Sequence, residues 1–240
     1  MPADIKILKV ASAQLVFFIN PLLATKSKLD LAQMIIKSTD NIFDGPPTIL
    51  PIPDDAPQEI PRIILKNGAN TLTCNVCINR IDFLFRESKA FNEGMCLPEF
   101  WSDYSKTINN FTNCIKKDLD TSITRLGFVV NLFCGLKGSA NKYLTKEYLK
   151  SNIFSDPFEI QLNVLNKLVL DGFVNINRWL KFKPIRFITN ISNDTALSVE
   201  LDLNTSPEEK HDFKTEEVVK FFNLAYNHII SEAAKLIISD

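Results

Sequence analysis

Apolar positions in this chain fall into two kinds of stretch, some crowded or alternating and others recurring every third and fourth residue, and each kind predicts an element. ILKVASAQLVFFI over residues 7–19 is rich in β-branched and aromatic side chains and predicts a strand, closed by Pro21. KSKLDLAQMIIKS follows with Leu29, Ala32, Ile35 and Ile36 at helical spacing. DGPPTILPIPDDAPQEIP then holds six prolines between Pro46 and Pro61. Proline lacks an amide donor and fixes φ, so an extended loop is expected, and a mobile or partner-binding one. Pro46, Pro47, Pro51, Pro53 and Pro57 are its candidate contact residues.

RIILK and TLTCNVCIN flank Asn67-Gly68, a hairpin signal. Leu72, Cys74, Val76 and Ile78 share one parity, and Thr73, Asn75, Cys77 and Asn79 the other, as in a half-buried strand. The apolar parity shifts at Ile81, Phe83 and Phe85, which places a turn or bulge at Asn79-Arg80. PEFWSDYSKTINNFTNCIKKDL predicts a long helix, with Pro98 in its first turn and Phe100, Tyr104, Ile108, Phe111 and Ile115 on one stripe.

The second half follows the same order. TSITRLGFVVNLF predicts a strand and ANKYLTKEYLKS a short helix. FEIQLNVLNKLVL, FVNINRWLKF, IRFITNIS and ALSVELDLN predict four meandering strands, joined at Asp171-Gly172, Lys183-Pro184 and Asn193-Asp194. TEEVVKFFNLAYNHIISEAAKLIIS predicts a closing helix with Thr215 as N-cap and Glu216 and Glu217 favourable to its dipole. Its expected buried stripe is Val218, Phe222, Ala225, Ile229, Ala233 and Ile237. The expected fold is therefore α+β, with two pseudo-repeated units of mainly antiparallel sheet. Residues 1–118 and 119–240 form the two units, each backed by a long helix and packed as one compact body.

Composition narrows the function classes. A net charge of -1 over 240 residues argues against bulk attraction to nucleic acid or anionic lipid, while a local basic patch stays open. MPADIKILKV lacks the order of a secretory signal, and no apolar run reaches the roughly 20 residues of a membrane span. Five cysteines at irregular spacing are not a disulfide framework and fit a reducing cytoplasm. Seven glycines leave no phosphate-binding loop.

Cys74 and Cys77 have the spacing of a zinc or redox half-site. On a strand, positions i and i+3 point to opposite faces, so Cys74 is expected in the core and Cys77 away from it. Two further zinc ligands are also lacking, so neither metal nor cofactor is expected. Glu200 and Asp202 are paired carboxylates on one strand face, opposite Leu197, Val199, Leu201 and Leu203. RWLKFKPIR is the densest basic-aromatic cluster: Arg178, Trp179, Lys181, Lys183 and Arg186 are candidate contacts for an anionic ligand or nucleic acid. Its plainer reading is a charged exterior that guards a strand against edge pairing. His211 is expected in an exposed loop, His228 packed on the last helix, and Cys96 in a loop with nothing nearby to lower its pKa.

PRIILKNGANTLTCNVCINRIDFLFRE, ITRLGFVVNLF, SVELDLN and the final helix with FFNLAYNHII resemble, in order and spacing, a sporadically distributed family of uncharacterised bacterial proteins of about this length. Arg125, Gly127 and Asn131 match that family's pattern. Phe85 stands where a tryptophan is common, and Val129-Val130 where Arg-Tyr is usual. The resemblance implies a bacterial, cytoplasmic protein of mobile or defence-associated gene neighbourhoods, and it assigns no catalytic residue. With no coherent catalytic set, the expected function is that of a non-catalytic interaction protein. It would bind a protein partner and self-associate, foremost as a homodimer, with no membrane partner. The alternatives are a small apolar-ligand module with a cavity between sheet and helices, and nucleic-acid binding through residues 178–186.

Overall fold

The computed structural model describes residues 8–20, 27–53, 55–87, 94–119, 121–136, 139–149, 159–186, 195–208 and 211–235. The fold is α+β: one nine-stranded antiparallel sheet and, among the described residues, four α-helices. In chain order the elements are β1 (Lys9–Ile19), α1 (Lys28–Ser38), β2 (Thr48–Ile49), β3 (Ile63–Lys66), β4 (Leu72–Val76), β5 (Arg80–Arg86) and α2 (Leu97–Asn113). They continue with β6 (Ile123–Leu136), α3 (Ala140–Leu144), β7 (Leu162–Leu170), β8 (Phe173–Arg186), β9 (Thr195–Thr205) and α4 (Thr215–Lys235). Across the sheet the strands run β2-β3-β4-β5-β1-β6-β9-β8-β7. β1 and β6 lie side by side at its centre, with Leu15 opposite Phe128 and Phe17 opposite Leu126.

Alternation along each strand sorts side chains to two faces. One set is buried: Phe17 of β1, Phe83 of β5, Phe128 of β6 and Leu201 of β9 all belong to it. The apolar stripes of α2 and α4 meet it. Phe17 touches Phe111 of α2 at 5.3 Å and Phe222 of α4 at 5.2 Å between ring centroids. Trp101 of α2 lies 5.8 Å from Phe128 and stacks at 4.6 Å on Tyr226 of α4. Side chains cap the starts of the helices, as at α1 and α2. Ser27 accepts from the Asp30 amide at α1, and Glu99 accepts from the Cys96 amide at α2.

Several local expectations are corrected. Four strands were expected between residues 158 and 204, and the described residues of that span form three, because β8 runs without a turn through Lys183-Pro184. Proline is tolerated there because β7 pairs with β8 only as far as Phe182, so among the described strands Pro184 is paired on its β9 side alone. Most of IRFITNIS, the Asn193-Asp194 turn and Ile237 lie outside the described residues. The β3–β4 hairpin is closed by a five-residue loop, and its left-handed residue is Asn70, with φ 54°, instead of Gly68. Asn67 holds this loop through bonds to the Leu72 amide and the Thr71 hydroxyl. At α4 the backbone amide capped by a side chain is that of Lys214, which donates to Glu217 at 2.8 Å, so the helix begins one residue before Thr215 could cap it.

Cys77 is not turned away. It is fully buried, as Cys74 is, because β4 ends at Val76 and the chain turns under the proline-rich segment. The Cys77 thiol donates to the Glu59 carbonyl at 3.1 Å.

Candidate functional site

The residues of opposite parity to the core form the second face of the sheet, and the register aligns them in rows. Arg80, Phe18 and Arg125 make one row across β5, β1 and β6. Asp82, Val16, Gly127, Asn204 and Asn177 make the next. Leu84, Gln14, Val129, Asp202 and Trp179 follow. Arg86, Ser12, Asn131, Glu200 and Lys181 complete the block. Arg125, Gly127 and Asn131, the matched residues of the resemblance, all face this side.

These groups are tied to one another. The Arg125 guanidinium lies 4.8 Å from the Phe18 ring centre and that of Arg80 lies 6.0 Å from it. Arg125 Nε donates to the Thr205 carbonyl and Nη2 to Asn204 Oδ1, both at 2.9 Å. Arg80 Nε and Gln14 Nε2 donate to Asp82 at 2.9 and 3.3 Å. Asn204 Nδ2 donates to Asp202 at 3.0 Å, and Lys181 pairs with Glu200 while leaning over the Trp179 ring.

Burial pushes both Asp82 and Asp202 above the usual carboxylate range. Arg80 and Gln14 pull Asp82 back, and Asn204, Lys181 and Arg125 pull Asp202 back. A carboxylate raised in the folded state stabilises the fold fully below its unfolded pKa. That stabilisation is lost as pH rises through the folded pKa. Asparagine cannot lose a proton, so an Asp202→Asn variant is expected to gain stability relative to the parent as pH climbs from about 4 towards neutrality. Paired urea melts across that range measure the difference. A difference that does not change with pH rules the assignment out.

The structure divides the basic-aromatic stretch of β8. Trp179, Lys181 and Lys183 lie on the row-bearing face. Arg178 lies on the core side, where its Nη1 donates to Glu232 of α4 at 2.7 Å with both side chains mostly buried. The side chain of Arg186 is outside the described residues. Glu200 and Asp202 share the row-bearing face as the alternation predicts.

The proline-rich segment is held down. Arg62, fully buried, donates from Nη1 to the carbonyls of Pro57 and Ile60, and from Nη2 to those of Pro53 and Ala56. Pro46, Pro51, Pro53 and Pro57 are exposed and Pro47 is half-buried.

Other chemical groups stay dispersed. All five cysteines are buried; burial raises the thiol of Cys77 to about 11 and also raises those of Cys74, Cys96 and Cys134. His211 Nε2 lies 3.3 Å from Glu217 beside a cleft of about 370 Å³, where Lys220 pairs with Asp171 at 3.0 Å. His228 is half-buried against α4's neighbours, and burial lowers its pKa. Among the described residues no three His, Cys, Asp or Glu side chains converge as metal ligands.

The two ends of the sheet differ. β2 is two residues long and sits between Pro46-Pro47 and Pro51. β7 is nine residues long, with Val164, Leu165 and Val169 exposed at 44%, 48% and 71%. Sequence reading placed β7 as a strand but not as an edge. The available signal was LNVLNKLVL itself, apolar on both parities, with Lys167 its only charge. The Arg80–Phe18–Arg125 row was also missed, because its members come from three strands distant in sequence, Phe18 and Arg125 being over 100 residues apart. Set beside known proteins, the chain matches no family model and no curated protein.

Proposed function

We propose that this chain is a non-catalytic interaction protein, built from two copies of one strand–helix–three-strand–helix unit, that binds a second copy of itself by adding a strand at β7. The repeat is supported by topology. With the two-residue β2 set aside, β3-β4-β5-β1 and β7-β8-β9-β6, each read inward, have the same chain order, and α2 and α4 follow β5 and β9 respectively.

The observation that carries the interaction reading is the asymmetry of the edges. An exposed strand edge presents unpaired amides and carbonyls that template another strand, and proteins blunt such edges with short strands, prolines and charges. At β2 the edge is short and flanked by prolines. At β7 it is long, apolar on both faces and guarded by a single lysine. An antiparallel pair of β7 strands centred on Asn166 sets Lys167 opposite Leu165 of the partner subunit, so the two lysines do not meet. An apolar-ligand module has less support: the gap lined by Leu15, Phe83, Phe85, Phe100 and Ile108 measures about 20 Å³, close to the space of a single water.

Light scattering on size-fractionated protein tests the pairing. The parent should have a dimer's mass, and a Leu165→Lys/Val169→Lys variant a monomer's with an unchanged circular dichroism spectrum. A parent that stays monomeric at every concentration, or a variant that stays dimeric, defeats the reading.

A further inference from the structure

The row-bearing face differs in charge from the rest of the molecule. Helix contacts fall on the other parity: Phe111 and Phe222 on Phe17, Trp101 on Phe128, Tyr148 on Phe182, and Glu232 on Arg178. On the row-bearing side, Arg80 and Arg86 lie on β5, Arg125 on β6, and Lys181 and Lys183 on β8, with Lys66 on β3 and Lys167 on β7. Lys9 is not among them, since it lines a cleft with Glu87 and Glu99 at the start of α2. Among the described residues three acids share the face, and each is engaged: Asp82 by Arg80 and Gln14, Glu200 by Lys181, Asp202 by Asn204. The face is therefore a net cationic surface on a chain whose formal net charge is -1, and the remainder of the chain is net acidic.

Beside the aliphatic Val16, Leu84 and Val129, its neutral groups include two kinds able to meet a ligand. Phe18 and Trp179 are rings standing on the sheet, and each has a cation against it. Gln14, Asn75, Asn131, Asn163 and Asn177 supply amides able to donate and accept. Arg80 and Arg125 approach the same Phe18 ring, so their guanidinium carbons are no farther apart than the sum of their distances to it. The bonds seen at each leave further N–H groups of the fork for an anion.

We propose that this face, which carries no helix among the described residues, binds single-stranded nucleic acid, with the arginines and lysines on phosphates, Phe18 and Trp179 stacked on bases, and the amides on base edges. Charge complementarity selects a polyanion. The rings select an unpaired strand, because a duplex hides the base faces that stack and a lipid surface offers none. The edge pairing at β7 is not needed for this, although a dimer would continue the face into a second copy.

Anisotropy of labelled oligouridylate and oligothymidylate of about 20 nucleotides, titrated over a salt series, measures the binding. A duplex of equal length and phosphatidylserine vesicles are the comparison probes. The single strands should bind with a negative log–log salt slope of about 0.7 per phosphate engaged. An Arg86→Glu/Lys183→Glu variant should bind at least about tenfold more weakly with a shallower slope. Trp179→Ala should weaken binding about fivefold or more while keeping the slope. Lys146→Glu, an exposed change beside Tyr148 on the helix side, should bind as the parent does. Preference between the two oligomers tells whether RNA or DNA is the ligand. The proposal is overturned if neither oligomer binds, if the charge-reversed variant equals the parent, if duplex binds as tightly as single strand, or if only vesicles bind. Light scattering on the same samples reports the β7 pairing separately, so failure of one reading is not taken for failure of the other.

Discussion

Arg62→Leu should destabilise the protein by about 3 kcal/mol or more in urea unfolding, a large loss for one side chain. The residue is fully buried, and its two terminal nitrogens hold four carbonyls of the proline-rich segment, the shortest bond being 2.6 Å to Ile60. Prolines cannot donate amides, so the segment between β2 and β3 has few ways to bind itself. The guanidinium supplies four of the bonds that fasten it, beside the Cys77 thiol on Glu59 and the Ile78 amide on Gln58. Leucine replaces the volume and removes every donor, leaving four carbonyls without this partner and the segment without its hold on the core. Limited proteolysis should then cut between residues 50 and 61 in the variant and not in the parent. Arg62→Lys should recover only part of the loss, because an ammonium lacks the planar fork. A Leu variant within about 1 kcal/mol of the parent would show that the segment stands without its anchor.

Phe222→Ala should cost about 3–5 kcal/mol, the range for truncating a large buried ring. Phe222 meets Phe17 of β1 at 5.2 Å, Phe128 of β6 at 6.2 Å and its neighbour Phe221 at 5.4 Å. It thus lies against both central strands, and the hole it leaves is bordered by rigid rings that collapse poorly. Thermal and urea melts measure the loss. A drop below about 1 kcal/mol would mean that α4 is loosely seated, contrary to the packing described.

The elements were legible where local chemistry decides them. The stripe Phe100, Ile108 and Phe111 found α2, and Val218, Phe222, Ala225 and Ile229 found α4, because a helix buries what recurs at its own period. The alternation of Leu197, Val199, Leu201 and Leu203 found β9 and placed Glu200 and Asp202 on its other side. Local rules misled where a distant neighbour set the outcome. Lys183-Pro184 reads as a turn, but β9 pairs along its whole length and keeps β8 extended. Cys77 reads as exposed, but the segment carrying Glu59 folds over it.

The candidate surfaces divide in the same way. The residues 178–186 stood out by composition, yet composition could not say that Arg178 turns inward to Glu232 while Trp179 and Lys181 turn outward. Arg125 was marked only by resemblance, and its setting between Phe18 and Asn204 needs β1, β6 and β9 side by side.

By itself the sequence determined where most of the strands and helices lie and which of their side chains share a face, since periodicity is a property of neighbours along the chain. Strand order, the identity of the two edges, the burial of Arg62 and the gathering of cations on one face were decided only by the tertiary structure. Those features depend on pairings between residues as far apart as Phe18 and Arg125, and no short-range pattern encodes which strand lies beside which.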